Sequence, residues 1–177
     1  IQTALRLKDR RLITTHKLYR SGAIEIQDEG SQLVAQLCAV EPGHQVIDYC
    51  AGAGGKSLAL ASTMENKGQI FAFDTSRGRL RPLRDRLHRA NARNIQVHML
   101  GDAVARSLLD ERAGKMDRVL VDVPCSGSGA WRRNPESKWR LTAKQLGEYI
   151  RSQSVILDRA ATLVAPHGML IYATCSI

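Results

Sequence analysis

Cysteine is scarce in this sequence, and the patterns that bind metals or direct export are missing. The four cysteines among 177 residues are widely spaced, form no CxxC pair and lie near no histidine pair with zinc-ligand spacing. We therefore expect no metal site. The sequence also shows no signal-peptide pattern and no apolar run long enough to span a membrane, so we expect a cytoplasmic protein with free thiols and no membrane partner.

Acidic residues are few relative to basic ones. The 17 Asp and Glu residues face 26 Lys and Arg residues, which gives a formal net charge of +9 and a pI of about 9.8. This surplus favours an anionic partner, nucleic acid before a membrane surface, although charge alone is equally compatible with a basic protein that has no such partner. The length fits one domain with one active site, and we expect a monomer.

The chain has no internal repeat and no low-complexity linker, and from Val46 onward short apolar runs alternate with helical patterns. This alternation predicts an α/β fold with a Rossmann-like, doubly wound, mostly parallel sheet. The predicted strands, rich in Val, Ile, Leu or Phe, are Gln45–Tyr49, Gln69–Asp74, Ile95–Leu100, Asp117–Val123 and Met169–Thr174. The predicted helices are Ser57–Thr63, Arg79–Ala92, Ala103–Glu111 and Thr142–Leu163, with Thr142 as an N-cap and Pro166-His167-Gly168 as a stop signal.

Residues 1–43 are expected to form an N-terminal extension packed on a catalytic domain that spans 44–177. Within the extension, Leu18–Gln27 predicts a strand pair or a turn around Ser21-Gly22, and Gly30–Ala39 predicts a short helix. The sequence stops directly after the fifth strand, whereas a sheet of this type usually has further strands that protect that edge. We therefore expect C-terminal strands of the domain to be missing from this chain.

A loop with three glycines, from Asp48 to Ser57, joins the first predicted strand to its helix. The glycines let the backbone turn sharply and approach a ligand at the carboxyl ends of the strands. A phosphate-binding P-loop would need glycine at Cys50, and a dinucleotide fingerprint that starts at Gly52 would need glycine at Ser57, so both patterns fail. A glycine turn preceded by an acid suits a ligand with an ammonium group and no phosphate.

Acidic residues follow three successive strands around this loop. Asp74 lies where ribose hydroxyls are bound in a doubly wound sheet, and Asp102 could accept a hydrogen bond from an adenine amino group. A single acid after a strand is more often a helix N-cap, but three of them around one glycine loop suggest S-adenosylmethionine. The expected cofactor-binding residues are Asp48, Cys50, Ala51, Gly52, Ala53, Gly54, Gly55, Lys56, Asp74, Arg79, Asp102 and Asp122.

Two cysteines follow predicted strand ends and are candidates for chemistry. The fourth strand delivers Asp122 and then Cys125 into a turn with Pro124, and the fifth strand ends next to Cys175, so adjacent strands would bring two thiols to one cleft. Carbon 5 of cytosine becomes nucleophilic only after a thiolate adds at carbon 6, and a carboxyl group can stabilise the adduct while a base removes the carbon 5 proton. Most free cysteines are simply small buried residues, which is the interpretation we adopt for Cys38 and Cys50.

Arginine is concentrated in two segments. Arg77–Arg93 holds seven arginines opposed only by Asp85, and Pro82 predicts that its helix begins close to that residue; such a run is equally compatible with a solvated helix face. The segment after the cysteine turn is better placed for RNA, because arginines bind phosphates and tryptophan stacks on an unpaired base, although Trp139 could equally be a packing residue. A base must leave its stack before a thiolate reaches it, so single-stranded or loop RNA is the expected partner. The candidate RNA-binding residues are Arg132, Arg133, Lys138 and Trp139.

Five motifs are spread along the chain: Gln27-Asp28-Glu29-Gly30-Ser31-Gln32, the glycine loop through Lys56, Asp122-Val123-Pro124-Cys125-Ser126-Gly127-Ser128-Gly129, Arg132-Arg133-Asn134-Pro135-Glu136 with Lys138-Trp139, and Thr174-Cys175-Ser176. Together they resemble the motifs of the Sun-type RNA cytosine-5 methyltransferases, which include the bacterial RsmB ribosomal RNA enzymes and have a class I methyltransferase fold. The resemblance implies that Cys175 is the nucleophile, that Cys125 helps to release the product, and that Asp122 contacts the target base. It also implies that Lys56 positions the base or its neighbouring acid, and that two acids, Asp74 and Asp102, hold the adenosine.

The sequence departs from this family in its loop and its extent. The usual loop is Ala-Ala-Pro-Gly-Gly-Lys-Thr, whereas residues 51–57 read Ala-Gly-Ala-Gly-Gly-Lys-Ser, and family members often carry a separate N-terminal RNA-binding domain and continue past Thr-Cys-Ser. The resemblance implies methylation of carbon 5 of a cytosine, in 16S ribosomal RNA, through a cysteine adduct at carbon 6. The alternatives are a transfer RNA cytosine-5 methyltransferase and a catalytically incomplete RNA-binding fragment. A DNA cytosine methyltransferase would carry a Glu-Asn-Val segment, and none occurs.

Overall fold

Five parallel strands form one sheet in the computed structural model, which describes residues 4–9 and 11–177. The strand order β3-β2-β1-β4-β5 puts the first strand in the centre, so the chain winds outward first to one side and then to the other. The predicted Rossmann-like, doubly wound α/β fold is therefore confirmed, and its switch point lies between β1 and β4, where ligands bind in such sheets. The strands are β1 (Gln45–Asp48), β2 (Gln69–Asp74), β3 (Ile95–Met99), β4 (Met116–Asp122) and β5 (Val164–Ala173).

Helices cover both faces of this sheet because successive strand residues point to opposite sides. On one face, Ile47 and Phe71 pack with Leu109 of α5 and Ala160 of α7; on the other, Val46 and its neighbours pack with α2, α3 and α4. The strands are thus buried on both sides. The helices are α1 (Lys17–Arg20), α2 (Glu29–Leu37), α3 (Gly55–Thr63), α4 (Arg77–Arg89), α5 (Ala103–Glu111), α6 (Glu136–Arg140) and α7 (Ala143–Ala161).

For Leu18–Gln27 the sequence predicts either a strand pair or a turn, and the structure has the turn. Within the described residues no strand pair forms between Leu18 and Gln27. Instead, α1 is followed by a tight turn at Ser21-Gly22, in which the Leu18 carbonyl accepts hydrogen bonds from the N–H groups of Ala23 and Ile24. Gly22 has φ +77°, and a Cβ there would lie 2.0 Å from the Arg89 carbonyl oxygen. The turn therefore packs closely against the end of α4, and only a residue without a side chain fits at position 22.

Two element boundaries also differ from prediction. The helix α4 begins at Arg77 and contains Pro82, because Ser76 caps it and the burial of Leu80 and Leu83 on either side outweighs the hydrogen bond that proline lacks. In β5, pairing starts at Val164 and resumes with Met169 opposite Arg118, so residues 165–168 form a bulge within the strand and not a stop before it. The predicted N-cap Thr142 is confirmed, and Gln145 completes a capping box.

Candidate active site

A cavity of about 930 Å³ opens at the carboxyl edge of the sheet. The ends of β1, β2, β4 and β5 contribute to its wall, and α5 and α7 close one side. Its position is the one at which doubly wound sheets bind ligands. Most of the residues singled out in the sequence line it.

The glycine loop between β1 and α3 is held by backbone hydrogen bonds. The Ala51 N–H donates to the Phe73 carbonyl at 2.8 Å, and the Gly54 N–H donates to the Ala51 carbonyl at 2.8 Å. Gly54 has φ +78° and faces α4, where a Cβ would lie 2.0 Å from a Leu83 methyl group, so only glycine fits there. Gly54 therefore lies behind the loop, while the other predicted loop residues line the cavity: Asp48, Cys50, Ala51, Gly52, Ala53, Gly55 and Lys56.

Asp48 is a buried carboxylate with one free oxygen. Its side chain is at the cavity wall and 1% exposed; one oxygen accepts from the Ser57 hydroxyl at 2.7 Å, and the other has no hydrogen-bond partner among the described residues. Burial raises the pKa of Asp48 to about 6. A buried carboxylate oxygen without a donor is a costly arrangement that a cationic ligand group would relieve.

Asp74 anchors the glycine loop from the neighbouring strand. The carboxylate accepts from the Gly52 N–H at 3.0 Å and from the Ser76 N–H at 2.8 Å, and the Arg79 guanidinium lies 3.0 Å from it. Asp74 is 3% exposed and lines the cavity, as does Arg79. The third predicted acid, Asp102, lies at the N-cap of α5 outside the cavity, and Leu100 and Gly101 line the cavity wall instead.

Lys56 and Asp122 form an ion pair within the cavity. The Lys56 side chain is 14% exposed and that of Asp122 33%, so the pair is shielded from solvent. The Lys56 ammonium also lies 3.5 Å from the Ser31 hydroxyl of α2. The N-terminal segment therefore reaches the site, through Ser31 and Gln27, which also lines the cavity. Sequence reasoning did not assign these two residues to the site, although both belong to the Gln27-to-Gln32 motif.

The thiols of Cys125 and Cys175 meet at the same cavity, with 3.3 Å between their sulfur atoms. Burial raises the pKa of the Cys125 thiol, but hydrogen bonds from Ser176, Thr174, Cys175 and the Gly127 backbone outweigh it and lower that pKa to about 7. Burial and the neighbouring Cys125 raise the pKa of Cys175 to about 11. One thiol of the pair thus ionises easily and the second with difficulty.

Several hydrogen bonds fix the two cysteine-bearing turns to each other. The Gly129 N–H donates to the Cys175 carbonyl at 2.8 Å, and the hydroxyls of Ser126 and Ser176 are 2.7 Å apart. The Gln153 amide of α7 donates to the Pro124 carbonyl at 2.7 Å. These contacts hold the sulfur atoms together across two strand ends.

The other two cysteines have environments that disfavour the thiolate. Burial raises the pKa of Cys38 and that of Cys50 to about 12 in each case. Cys38 is fully buried and donates to the Val34 carbonyl, whereas Cys50 is half-buried in the cavity wall. Among residues 4–9 and 11–177, no cluster of three or more His, Cys, Asp or Glu has metal-binding geometry, and no helix is long and apolar enough to cross a membrane.

Residues from α5 and α7 complete the cavity and were missed by the sequence analysis. Arg159 of α7 pairs with Asp110 of α5 at its wall, and Ser152 and Ile156 lie along the same helix as Arg159. The sequence carries no signal for them, because their place depends on how two helices distant in sequence pack against the sheet.

The candidate RNA-binding residues lie on the surface segment after the cysteine turn. Trp139 is 82% exposed, and the Lys138 ammonium lies 5.4 Å from its ring centre and 5.9 Å from that of Trp131. Arg133 pairs with Asp28, and Arg132 is exposed. None of these four predicted residues lines the cavity, so any contact that they make with RNA would lie outside the cavity.

Comparisons with known proteins identify the family that this chain resembles. The family model for 16S rRNA methyltransferase RsmB/F matches residues 35–177. Ribosomal RNA small subunit methyltransferase B of Pasteurella multocida is 33% identical over 98% of this chain. Two crystal structures from Pyrococcus horikoshii are similar: NSun6 with SFG, with a TM-score of 0.82 and 27% identity over 95% of this chain, and a methyltransferase homolog protein, with 0.79 and 30% over 96%.

The match is extensive for this chain but partial for its relatives. The chain spans 39% of the length of the Pasteurella protein, and 42% and 52% of the two Pyrococcus chains. The family model nevertheless covers most of the chain, including the glycine loop and both cysteine-bearing turns. The chain therefore belongs to the 16S rRNA methyltransferase RsmB/F family.

Proposed function

We propose that this chain is the catalytic part of an S-adenosylmethionine-dependent enzyme that methylates carbon 5 of a cytosine in 16S ribosomal RNA. The observation that carries the proposal is the meeting of two thiols, 3.3 Å apart, at the cavity that also holds the glycine loop and the Lys56–Asp122 pair. Residues 44–177 would form the catalytic domain, and the segment before them an extension that contributes Ser31 to the site.

The hydrogen-bonding groups of the cavity are complementary to those of S-adenosylmethionine. The unpartnered buried oxygen of Asp48 suits an ammonium group, and the buried carboxylate of Asp74, beside Arg79, suits ribose hydroxyls. The backbone of residues 51–53 and of Gly55 would lie along the ligand, and Asp102 has no place in this set because it lies outside the cavity. When bound, the cofactor supplies an electrophilic methyl group.

The two cysteines supply the nucleophile and its base. Cys175 would add to carbon 6 of the cytosine, forming a sulfur–carbon bond and shifting the electron pair of the double bond to carbon 5. Cys125, whose thiolate forms more readily, would accept the Cys175 proton across the 3.3 Å contact. Carbon 5 would then use this electron pair to bond to the methyl group, and the pair of the broken methyl–sulfur bond would stay on the cofactor's sulfur. Removal of the carbon 5 proton by a base would restore the double bond and expel the Cys175 thiolate, which can regain its proton from Cys125.

Asp122 and Lys56 would hold the base during this addition. As electrons move into the ring, the ring nitrogen and carbonyl gain negative charge, which a proton or cation nearby stabilises. The shielded ammonium of Lys56 and the carboxyl group of Asp122 lie at the same cavity wall as both thiols. Lys56 thereby orients Asp122 and keeps it from remaining an isolated buried charge.

RNA would approach over the segment that follows the cysteine turn. The exposed ring of Trp139 offers a stacking surface, and Arg132, Arg133 and Lys138 offer positive charge for phosphates. The target base must leave its stack to reach Cys175 inside the cavity, so an unpaired cytosine is the expected substrate.

The activity is tested by methyl transfer from radiolabelled S-adenosylmethionine to 16S ribosomal RNA and, in parallel, to transfer RNA. The RNA is then digested to nucleosides and the labelled product identified. We expect 5-methylcytidine from 16S ribosomal RNA and no label with Cys175→Ala. A different labelled nucleoside would contradict the proposed chemistry, and labelling of transfer RNA alone would contradict the proposed substrate.

A further inference from the structure

The six arginines of α4 divide into two sets with different surroundings, while Arg93, the seventh arginine of the Arg77–Arg93 segment, lies beyond the end of the helix. One set faces the body of the protein. Arg79 pairs with Asp74, Arg86 pairs with Glu25 and donates to the Ala53 carbonyl at 2.7 Å, and Arg89 also pairs with Glu25. These three arginines have structural partners that account for their presence.

The second set, Arg77, Arg81 and Arg84, has no acidic partner among the described residues, although Nε of Arg77 donates to the Met99 sulfur at 3.4 Å. The three residues are spaced i, i+4 and i+7, so they share one face of α4, and all three are exposed. In the part of the chain that the structure describes, none of them forms an ion pair with an acidic side chain. Because no acidic side chain pairs with them, the three charges on this face are available to an anionic ligand.

These arginines line a groove of about 620 Å³ between α4, β3 and the start of α5. The floor is β3, an edge strand of the sheet, with Val97 and Met99, and Asp102 is the single acid in the groove wall. Three guanidinium groups against one carboxylate make the groove cationic. Planar guanidinium groups match the oxygens of phosphates in geometry and in charge.

The groove adjoins the catalytic cavity. Thr75, Arg79, Leu100 and Gly101 line the cavity, while their chain neighbours Arg77, Met99 and Asp102 line the groove. The reactive thiols lie at the β4–β5 end of the same carboxyl edge, and four strand spacings separate β5 from β3, about 19 Å. An RNA strand whose base entered the cavity would extend over this distance within a few nucleotides.

We infer that the groove formed by Arg77, Arg81 and Arg84 binds backbone phosphates of the substrate RNA on one side of the target cytosine. This inference rests on the proposed function and extends it to a second contact surface, separate from the segment that carries Trp139. Base identity would be read in the cavity, while the groove adds affinity that does not depend on sequence.

The test measures binding of a fluorescently labelled single-stranded RNA across a series of salt concentrations. The variant replaces all three arginines: Arg77→Gln, Arg81→Gln and Arg84→Gln. A matched control removes the same charge from exposed positions on other elements, with Lys17→Gln, Lys115→Gln and Lys144→Gln. Circular dichroism shows whether each variant folds, and the single substitution Arg81→Gln provides a milder perturbation.

Each lost phosphate contact lowers the slope of log affinity against log salt by about 0.7 for a single strand, so the triple variant should lose about 2 in slope and up to roughly 100-fold in affinity at 0.1 M salt. Arg81→Gln should lose roughly fivefold. The control triple should keep the wild-type slope, and S-adenosylmethionine should bind all variants equally. Equal behaviour of the two triple variants, with a wild-type chain that binds and methylates RNA, overturns this inference alone. A wild-type chain that neither binds nor methylates RNA overturns the proposed function and this inference with it.

Discussion

The sulfur atoms of Cys125 and Cys175 lie 3.3 Å apart, although the two residues are 50 positions apart in the sequence. They meet because β4 and β5 are parallel neighbours, so both strands end at the same edge of the sheet. At this distance the charge on one sulfur opposes ionisation of the other, and the two groups titrate as a pair. The contact acts together with burial, which raises the pKa of both thiols, and with hydrogen bonds from Ser176 and Thr174, which lower the pKa of Cys125.

The pairing predicts how activity depends on pH. The pair must lose one proton before a thiolate is available, and the pKa of Cys125 is about 7, so kcat/KM should be high above that pH and fall below it. In Cys125→Ser one influence that raises the pKa of Cys175 is removed. However, no thiolate then lies beside Cys175 to take its proton. When the rate of adduct formation with RNA is measured against pH, the midpoint should then move upward, toward the ordinary pKa range of a thiol. An unchanged midpoint in Cys125→Ser would refute the role of Cys125 as the base.

Asp48→Asn should stabilise the ligand-free protein while weakening cofactor binding. The pKa of Asp48 is raised by burial, from 3.8 to about 6, so its protonated form favours folding and this stability is lost as pH rises through about 6. At pH 8 the neutral amide avoids that cost, and we expect the free energy of unfolding to increase by about 1–3 kcal/mol. The gain should shrink at pH 5.

Denaturant unfolding at the two pH values measures this difference. Asp102→Asn is the matched control, because that carboxylate is exposed and outside the cavity, and we expect it to change neither stability nor cofactor affinity. If Asp48→Asn were less stable than wild type at pH 8, the carboxylate would have a stabilising partner that the structure does not contain.

Gly54→Ala should destabilise the protein more than Gly52→Ala. Both glycines have positive φ, but a Cβ at Gly54 would lie 2.0 Å from a Leu83 side-chain atom, whereas nothing lies within 4 Å of one at Gly52. We expect about 1–2 kcal/mol for backbone strain at either position and about 1–3 kcal/mol more for the clash at Gly54. Thermal unfolding of both variants, and of Gly54→Ala combined with Leu83→Ala, distinguishes the cost of backbone strain from the cost of the clash with Leu83. Equal losses for the two single variants would show that the loop moves freely away from α4.

Lys56→Met should lower kcat with a small effect on RNA affinity. The substitution leaves the carboxylate of Asp122 without its shielded partner and free to change position, and displacement of a catalytic group costs on the order of 100-fold in rate. Lys67→Met is the control, since its ion pair with Glu65 is exposed and distant from the cavity. Single-turnover methyl transfer distinguishes chemistry from binding. A Lys56→Met variant with unchanged kcat would remove Lys56 from the site.

The sequence was sufficient to predict the convergence of residues at strand ends. Apolar runs that alternate with helical patterns predict a parallel sheet, and in a parallel sheet Asp48, Asp74, Cys125 and Cys175 must meet at one edge. The rule works because it depends only on strand direction. The rule does not say which side chains face the cavity, and Asp102, which follows β3, lines the neighbouring groove instead.

Features that depend on helix packing and on local exceptions were not predictable. Arg159 and Asp110 meet because α7 and α5 pack side by side, which no local pattern encodes. Pro82 ordinarily signals a helix start, yet the buried leucines around it keep α4 continuous. The bulge at 165–168 in β5 reads locally as a loop, and only its pairing with β4 makes it part of a strand.

The covalent adduct is the most direct test of the central claim that Cys175 attacks the base. An RNA that contains 5-fluorocytosine at the target position lacks the carbon 5 proton, so elimination of the enzyme is blocked and the adduct persists through denaturing electrophoresis. We predict an adduct with the wild-type protein and with Cys125→Ala, and none with Cys175→Ala. An adduct with Cys175→Ala that is absent with Cys125→Ala would contradict the assignment and make Cys125 the nucleophile.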